Sequence, residues 1–162
     1  MKYPKRIHIP DYQRGVKFVG GAYAGVTMPG SYLTFGDKEQ INLIDMRPYL
    51  VLVERLTFFD VLHAPCVASF GAKLRVLDPY IAATRSKDHL NDSIGIVRNA
   101  ALSVLSRALI VAGLDMRARL STDIKLAVNK ELLRVGMELS EIEITELWTD
   151  AKPPATSVGQ TD

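Results

Sequence analysis

From Cys66 to Leu77 the side chains alternate without a break: Ala68, Phe70, Ala72, Leu74 and Val76 fall on one side, Ser69, Gly71, Lys73 and Arg75 on the other. A period of two sustained that long belongs to a strand with one face buried and one wet. The run stops at Asp78-Pro79. An aspartate there can accept unpaired backbone N–H groups as a helix N-cap, and the proline after it gives up only an N–H that would have no partner. The middle of the chain is thereby committed to a strand that hands over directly to a helix.

Beyond Asp78 the pattern turns helical as far as Gly136. A short helix is predicted from Pro79 to about Thr84. A longer one rests on Ile94, Val97, Ala101, Val104, Leu105, Ala108 and Val111, spaced by threes and fours, with Asp92 or Ser93 as cap and Gly113 as stop. A further helix is predicted over Thr122 to Val135 after the candidate cap Ser121. It turns Ile124, Ala127, Val128, Leu132 and Val135 inward, shows Lys125, Lys130, Glu131 and Arg134 outward, and stops at Gly136. The closing strand has Met137 and Leu139 in one phase and Ile142 and Ile144 in the other. One extra residue at Ser140-Glu141, a β-bulge, restores them to a single face.

The first half reads as short strands and turns. Val16 to Val19 ends at Gly20-Gly21, which suits a tight hairpin. Pro29-Gly30 marks another turn before Tyr32 to Phe35, then Ile41 to Ile44, and Tyr49 to Val53 after Pro48. The fold class is therefore α+β: a twisted, mostly antiparallel sheet with helices packed on one side and a βααβ C-terminal half. At 162 residues and 48% apolar the chain is long enough for one domain with a real core, assigned to 1–148. The Pro, Ser, Thr, Gly and Gln of 149–162 read as a disordered tail.

Composition removes several function classes. Twenty basic and eighteen acidic residues are mixed along the chain, which is not the clustered basic footprint of a nucleic-acid binder. The single cysteine, Cys66, rules out an internal disulfide and a cysteine metal cluster, and fits a reducing, cytoplasmic setting. No apolar run approaches the roughly 20 residues of a spanning helix, and the N-terminal Lys2, Lys5 and Arg6 lack the apolar region of a signal peptide. Any membrane contact is then peripheral or lies in a further segment. Lys2, Lys5 and Arg6 are the candidates for touching anionic lipid, at about 1 kcal/mol each.

No catalytic constellation emerges. His63 and Cys66 are three apart at the start of a strand, where that spacing sends side chains to opposite faces. His8 and His89 stand apart from carboxylate or cysteine partners, so no metal site is assigned. The glycines match neither a phosphate loop nor a dinucleotide fingerprint, and no cofactor is assigned. Glu138, Glu141, Glu143 and Glu146 read as a solvated strand face. Ile96, Leu102, Leu109 and Ile110 widen the long helix's apolar stripe beyond what one sheet requires. They either pack under the next helix or, as Leu102, Leu109 and Ile110, form a self-association face.

Several stretches together resemble the SPFH, or band 7, domain of the stomatin, prohibitin and flotillin superfamily. They are Arg14-Gly15-Val16, Met28-Pro29-Gly30, Ile44-Asp45-Met46-Arg47-Pro48, Arg75-Val76-Leu77-Asp78-Pro79, Leu114 to Arg117, Val135 to Leu139 and Glu141-Ile142-Glu143-Ile144. In order they span about Pro10 to Leu147. The resemblance implies a non-enzymatic scaffold that self-associates, organises membrane proteins or lipid microdomains, and regulates a membrane protease or channel. The membrane-inserting segment usual before the domain and the coiled coil usual after it do not occur here. Thr57-Phe58-Phe59-Asp60-Val61 also departs from the polar Lys-Asp turn of many relatives. The chain reads as a minimal soluble member or as one domain of a longer product; the alternative role is a soluble adaptor binding a protein through its sheet edge.

Overall fold

The computed structural model describes residues 4–36, 38–111 and 113–150. Eight strands and three helices run in the order β1 (Lys5–Ile9), β2 (Gln13–Val19), β3 (Ala22–Thr27), β4 (Gly30–Thr34), β5 (Glu39–Asp45), β6 (Tyr49–Phe59), β7 (Pro65–Val76), α1 (Pro79–Arg85), α2 (His89–Leu105), α3 (Leu114–Leu132) and β8 (Met137–Thr149), with a 3₁₀ turn at Leu133–Val135 before β8. Every strand pair is antiparallel, as expected of this α+β fold. The strands divide among three sheets, β1-β4, β3-β2-β5 and β6-β7-β8.

The alternating run at the centre of the chain is the middle strand of the third sheet. Ala68, Phe70, Ala72, Leu74 and Val76 are all buried against Val97, Ala101 and Leu105 of α2 and Ile124, Val128 and Leu132 of α3. The hairpin turn at Gly20-Gly21 has both glycines left-handed, at φ 59° and 83°, the geometry that glycine adopts without a Cβ penalty. In the first half, the β1-β4 ribbon lies on the β3-β2-β5 sheet at Gly15. A Cβ there would come within 2.8 Å of Ile9 Cδ1 and 2.7 Å of Ile41 Cγ2, so any larger residue would have to displace the side chains of the buried Ile9 and of Ile41. Helix α1 joins the halves through Tyr80, whose ring lies 4.1 Å from that of Tyr23 on β3.

The junction of β7, α1 and β8 is as tight. Asp78 accepts the N–H groups of Tyr80 (2.9 Å) and Ile81 (3.1 Å). The N–H groups of Leu77 and Asp78 both donate to Gly136 O. Gly136 is left-handed at φ 71°, and a Cβ on it would lie 2.5 Å from Asp78 O and 2.7 Å from Ala82 N.

Both long helices differ from expectation at their ends. Asp88, not Asp92 or Ser93, caps α2 by accepting Asn91 N–H, while Ser93 is buried and donates to His89 O. The helix stops at Leu105, well before Gly113. Ala108 O receives Val61 N–H from the β6–β7 turn, a tertiary bond that replaces helical continuation. Helix α3 begins at Leu114 rather than Thr122, so Ser121 lies inside it. Its first turns carry Arg117 and Arg119 around a buried Leu120, and those charges obscure the apolar period. Of the tail expected over 149–162, Thr149 belongs instead to β8 and Asp150 N–H bonds Pro65 O, while 151–162 lie outside the described residues.

Gly136→Ala should lower the unfolding free energy by at least about 2 kcal/mol, since it combines left-handed strain with a backbone clash. Gly95→Ala is the control: it lies in α2 with nothing near its added methyl, and should stabilise by roughly 0.5–1 kcal/mol. Thermal denaturation of the two should move in opposite directions.

Candidate interaction surfaces

The residues considered for chemistry do not assemble into a site. Cys66 is buried, its thiol donating to Ala64 O, and His63 sits in the preceding turn in a left-handed conformation, φ 62°. No hydrogen bond joins them. His8 Nδ1 is 3.2 Å from Ser31 Oγ, and His89 begins α2. Among the described residues no group of three or more His, Cys, Asp or Glu could hold a metal ion.

The acidic series of β8 lies on the open face of the third sheet. Glu138 pairs with Arg75, Glu141 lies 3.7 Å from Lys73, and Glu146 accepts Ser69 Oγ at 2.9 Å. Two bulges bring these residues to one face. The first is the expected one at Ser140, between the pairs Leu74–Leu139 and Lys73–Glu141; the second, not expected, is at Thr145, between Phe70–Ile144 and Ser69–Glu146. Each is fastened alike. The bulged hydroxyl donates back to β7, Ser140 to Lys73 O and Thr145 to Ser69 O. A cation from α3 donates to the bulged carbonyl, Lys125 to Ser140 O (2.6 Å) and Arg117 to Thr145 O (3.0 Å). Asn129 completes the seam by bonding both N–H and C=O of Leu139.

Among the described residues, three groups of exposed apolar side chains bear on possible contacts. On the β1-β4 ribbon, Arg6 pairs across with Leu33, beside Lys5 and near the exposed Phe35. Lys2 lies outside the described residues. At the opposite end of β6, Phe59, Val61 and Leu62 project with Leu109 and Val111. The buried Asp60 carboxylate builds this tip: its Oδ1 accepts Leu62 and Ala64 N–H at 2.9 Å each, which closes the turn and faces the apolar side chains outward. The third surface is Leu50 and Leu52 on the open face of β6.

The structure separates the three residues considered for self-association. Leu109 is 47% exposed, Leu102 is half-buried against the core, and Ile110 is only 4% exposed within it. The early end of α2 explains the split, because Leu109 and Ile110 lie in the coil after it. Leu109 forms part of the wall of a groove of about 800 Å³ between α2 and α3, floored by Ala100, Val104 and Leu120 and rimmed by Arg107 and Arg119.

At the start of β6, Arg47 donates to both carboxylate oxygens of Asp45 and stacks 4.2 Å from the Tyr12 ring centre. These bonds hold the Asp45 carboxyl below the usual carboxylate range, against a smaller opposing effect of burial.

The model of the SPFH domain / Band 7 family matches residues 7–153, and the chain belongs to that family. It is similar to a stomatin homologue of Pyrococcus horikoshii and to one of Pyrococcus abyssi, each 22% identical over 139 residues, covering 86% of this chain and 52% of the relative. The chain thus spans about half the length of these curated relatives. The family is generally non-enzymatic and often membrane-associated, and membership supports a scaffold-type role. No helix among the described residues is long and apolar enough to cross a membrane.

A lowered folded-state pKa for Asp45 contributes stability above its unfolded value and loses it as pH falls through the folded one. Asp45→Asn should therefore lower Tm by about 2 °C at neutral pH, a small effect because Arg47 is largely exposed. The difference should close on acidification below the usual carboxylate range, followed by thermal melts across pH.

Proposed function

We propose that this chain is a non-enzymatic scaffold unit that self-associates and works peripherally at a membrane, organising lipid or the proteins embedded there. The observation that carries this reading is the outer face of the β1-β4 ribbon, where exposed Leu33 stands across from Arg6, with exposed Phe35 just beyond β4 and exposed Lys5 at the start of β1. Basic residues near an anionic surface add about 1 kcal/mol each, and adjacent apolar side chains add burial in the interface. A membrane protease or channel is the class of partner such a unit would regulate. Self-association fits Leu109 and the surfaces near it, with the half-buried Leu102 packed against the core; Ile110, being buried, would act only by holding that loop.

The second reading, a protein-binding adaptor without a membrane role, is favoured by the uncovered edge of β6. Liposome flotation separates the two. Binding to anionic vesicles that weakens with salt, and that falls at least several-fold in a Leu33→Ser/Phe35→Ser variant, supports the scaffold. No flotation of the intact protein on anionic vesicles leaves the adaptor.

A further inference from the structure

The turn between β6 and β7 is built the reverse way from an ordinary surface turn. Phe59, Val61 and Leu62 project from it, 62%, 52% and 68% exposed, while its carboxylate, Asp60, is buried. Every backbone N–H from Asp60 to Ala64 finds an acceptor inside the protein. Asp60 donates to Ala64 O, Val61 to Ala108 O and His63 to Asp60 O, and the N–H groups of Leu62 and Ala64 both donate to Asp60 Oδ1. A turn standing in water gains little from this, because water serves such groups. A turn that leaves water would otherwise carry unpaired donors, each of them costly.

The surroundings of the tip extend the pattern. Leu109 and Val111 are exposed in the coil that the Val61–Ala108 bond holds against it. Arg107, next in the chain to Ala108, is exposed, and no acid among the described residues pairs with it. Trp148, also exposed, lies on β8 opposite Val67, two residues along β7 from the Pro65 that pairs with Phe59. An indole ring suits the boundary between an apolar and a wet medium. The exposed side chains of His63 and Asp150 limit the depth, since they keep their water only at headgroup level.

We infer that this tip is a lipid wedge: Phe59, Val61 and Leu62 enter the headgroup–acyl boundary of a bilayer, with Leu109 and Val111 beside them and Arg107 at a lipid phosphate. Lipid fits this tip better than a protein partner does. Protein interfaces carry about one hydrogen bond per 100–200 Å², and the apolar tip offers no free N–H over Asp60 to Ala64 to make one. A guanidinium without an internal acid matches a phosphate, which accepts from it in a bidentate way. The inference rests on the peripheral-membrane reading and gives it a second contact. The ribbon draws the chain to anionic lipid by charge, which salt screens; the tip holds chiefly by burial, which needs no anionic lipid.

Flotation on phosphatidylcholine vesicles at high salt isolates the tip, and flotation on anionic vesicles at low salt reports both contacts. The intact protein should float in both. Val61→Glu/Leu62→Glu should lose at least ten-fold in binding to the neutral vesicles. Both side chains are exposed and the Asp60 bonds use backbone N–H groups, so its circular dichroism spectrum should be unchanged. A nitrobenzoxadiazole label on Leu62→Cys should brighten and shift to the blue on neutral vesicles, and one on Leu126→Cys, exposed on α3, should not; Cys66 is buried and takes no label. Where the double variant fails to fold, the label at residue 62 decides. Binding to anionic vesicles that the glutamates leave intact, with a silent label at residue 62, overturns the wedge and leaves the membrane reading to the ribbon. Flotation on neutral vesicles that the glutamates do not weaken overturns the tip as the site of burial. No flotation on either vesicle overturns the wedge and the membrane reading together.

Discussion

The fold turns on the contact between Gly136 and Asp78. Asp78 ends β7, caps α1 and, with Leu77, donates its backbone N–H to Gly136 O, so one small cluster fixes where the central strand stops and where β8 begins. A side chain on Gly136 would displace the Asp78 carbonyl and the first turn of α1. That turn carries Tyr80, whose stacking on Tyr23 joins the C-terminal half to the sheets of the first half. The helices, the third sheet and the N-terminal strands are therefore all positioned from one left-handed glycine.

Helix α3 has two tasks that its sequence combines. Its inward face supplies Leu120, Ile124, Val128 and Leu132 to the core. Its flank supplies Arg117, Lys125 and Asn129 to the backbone of β8. A strand with two extra residues exposes carbonyls that its neighbour no longer reaches, and unpaired polar groups are costly where water is excluded. Charged and amide side chains from the helix meet that need, which is why a helix with so many polar residues still packs closely along a sheet edge.

Much of this was legible in the residues. The period of two in β7, the Asp78 cap, the Gly136 stop and the slip at Ser140 are local signals, and each has one physical solution. The helix ends were less legible because they are set by tertiary bonds. Ala108 is drawn to Val61, and the start of α3 lies among charges that a search for apolar spacing discounts. The second bulge at Thr145 shows in the sequence only as the three-residue step from Ile144 to Leu147, which a reading of the strand from Met137, Leu139, Ile142 and Ile144 stops short of. Of the candidate surface residues, sequence spacing placed Leu102, Leu109 and Ile110 on one helix face. That inference failed once the helix ended at Leu105 and the next residues turned through a coil.

The seam between α3 and β8 has a further consequence for how copies of this unit can add together. A sheet with two open edges has a valence of two and can lengthen without limit, strand upon strand. Here the unit's own helix already holds backbone groups of one edge strand at Leu139, Ser140 and Thr145, so a strand arriving along β8 would find its bonding positions taken at both bulges.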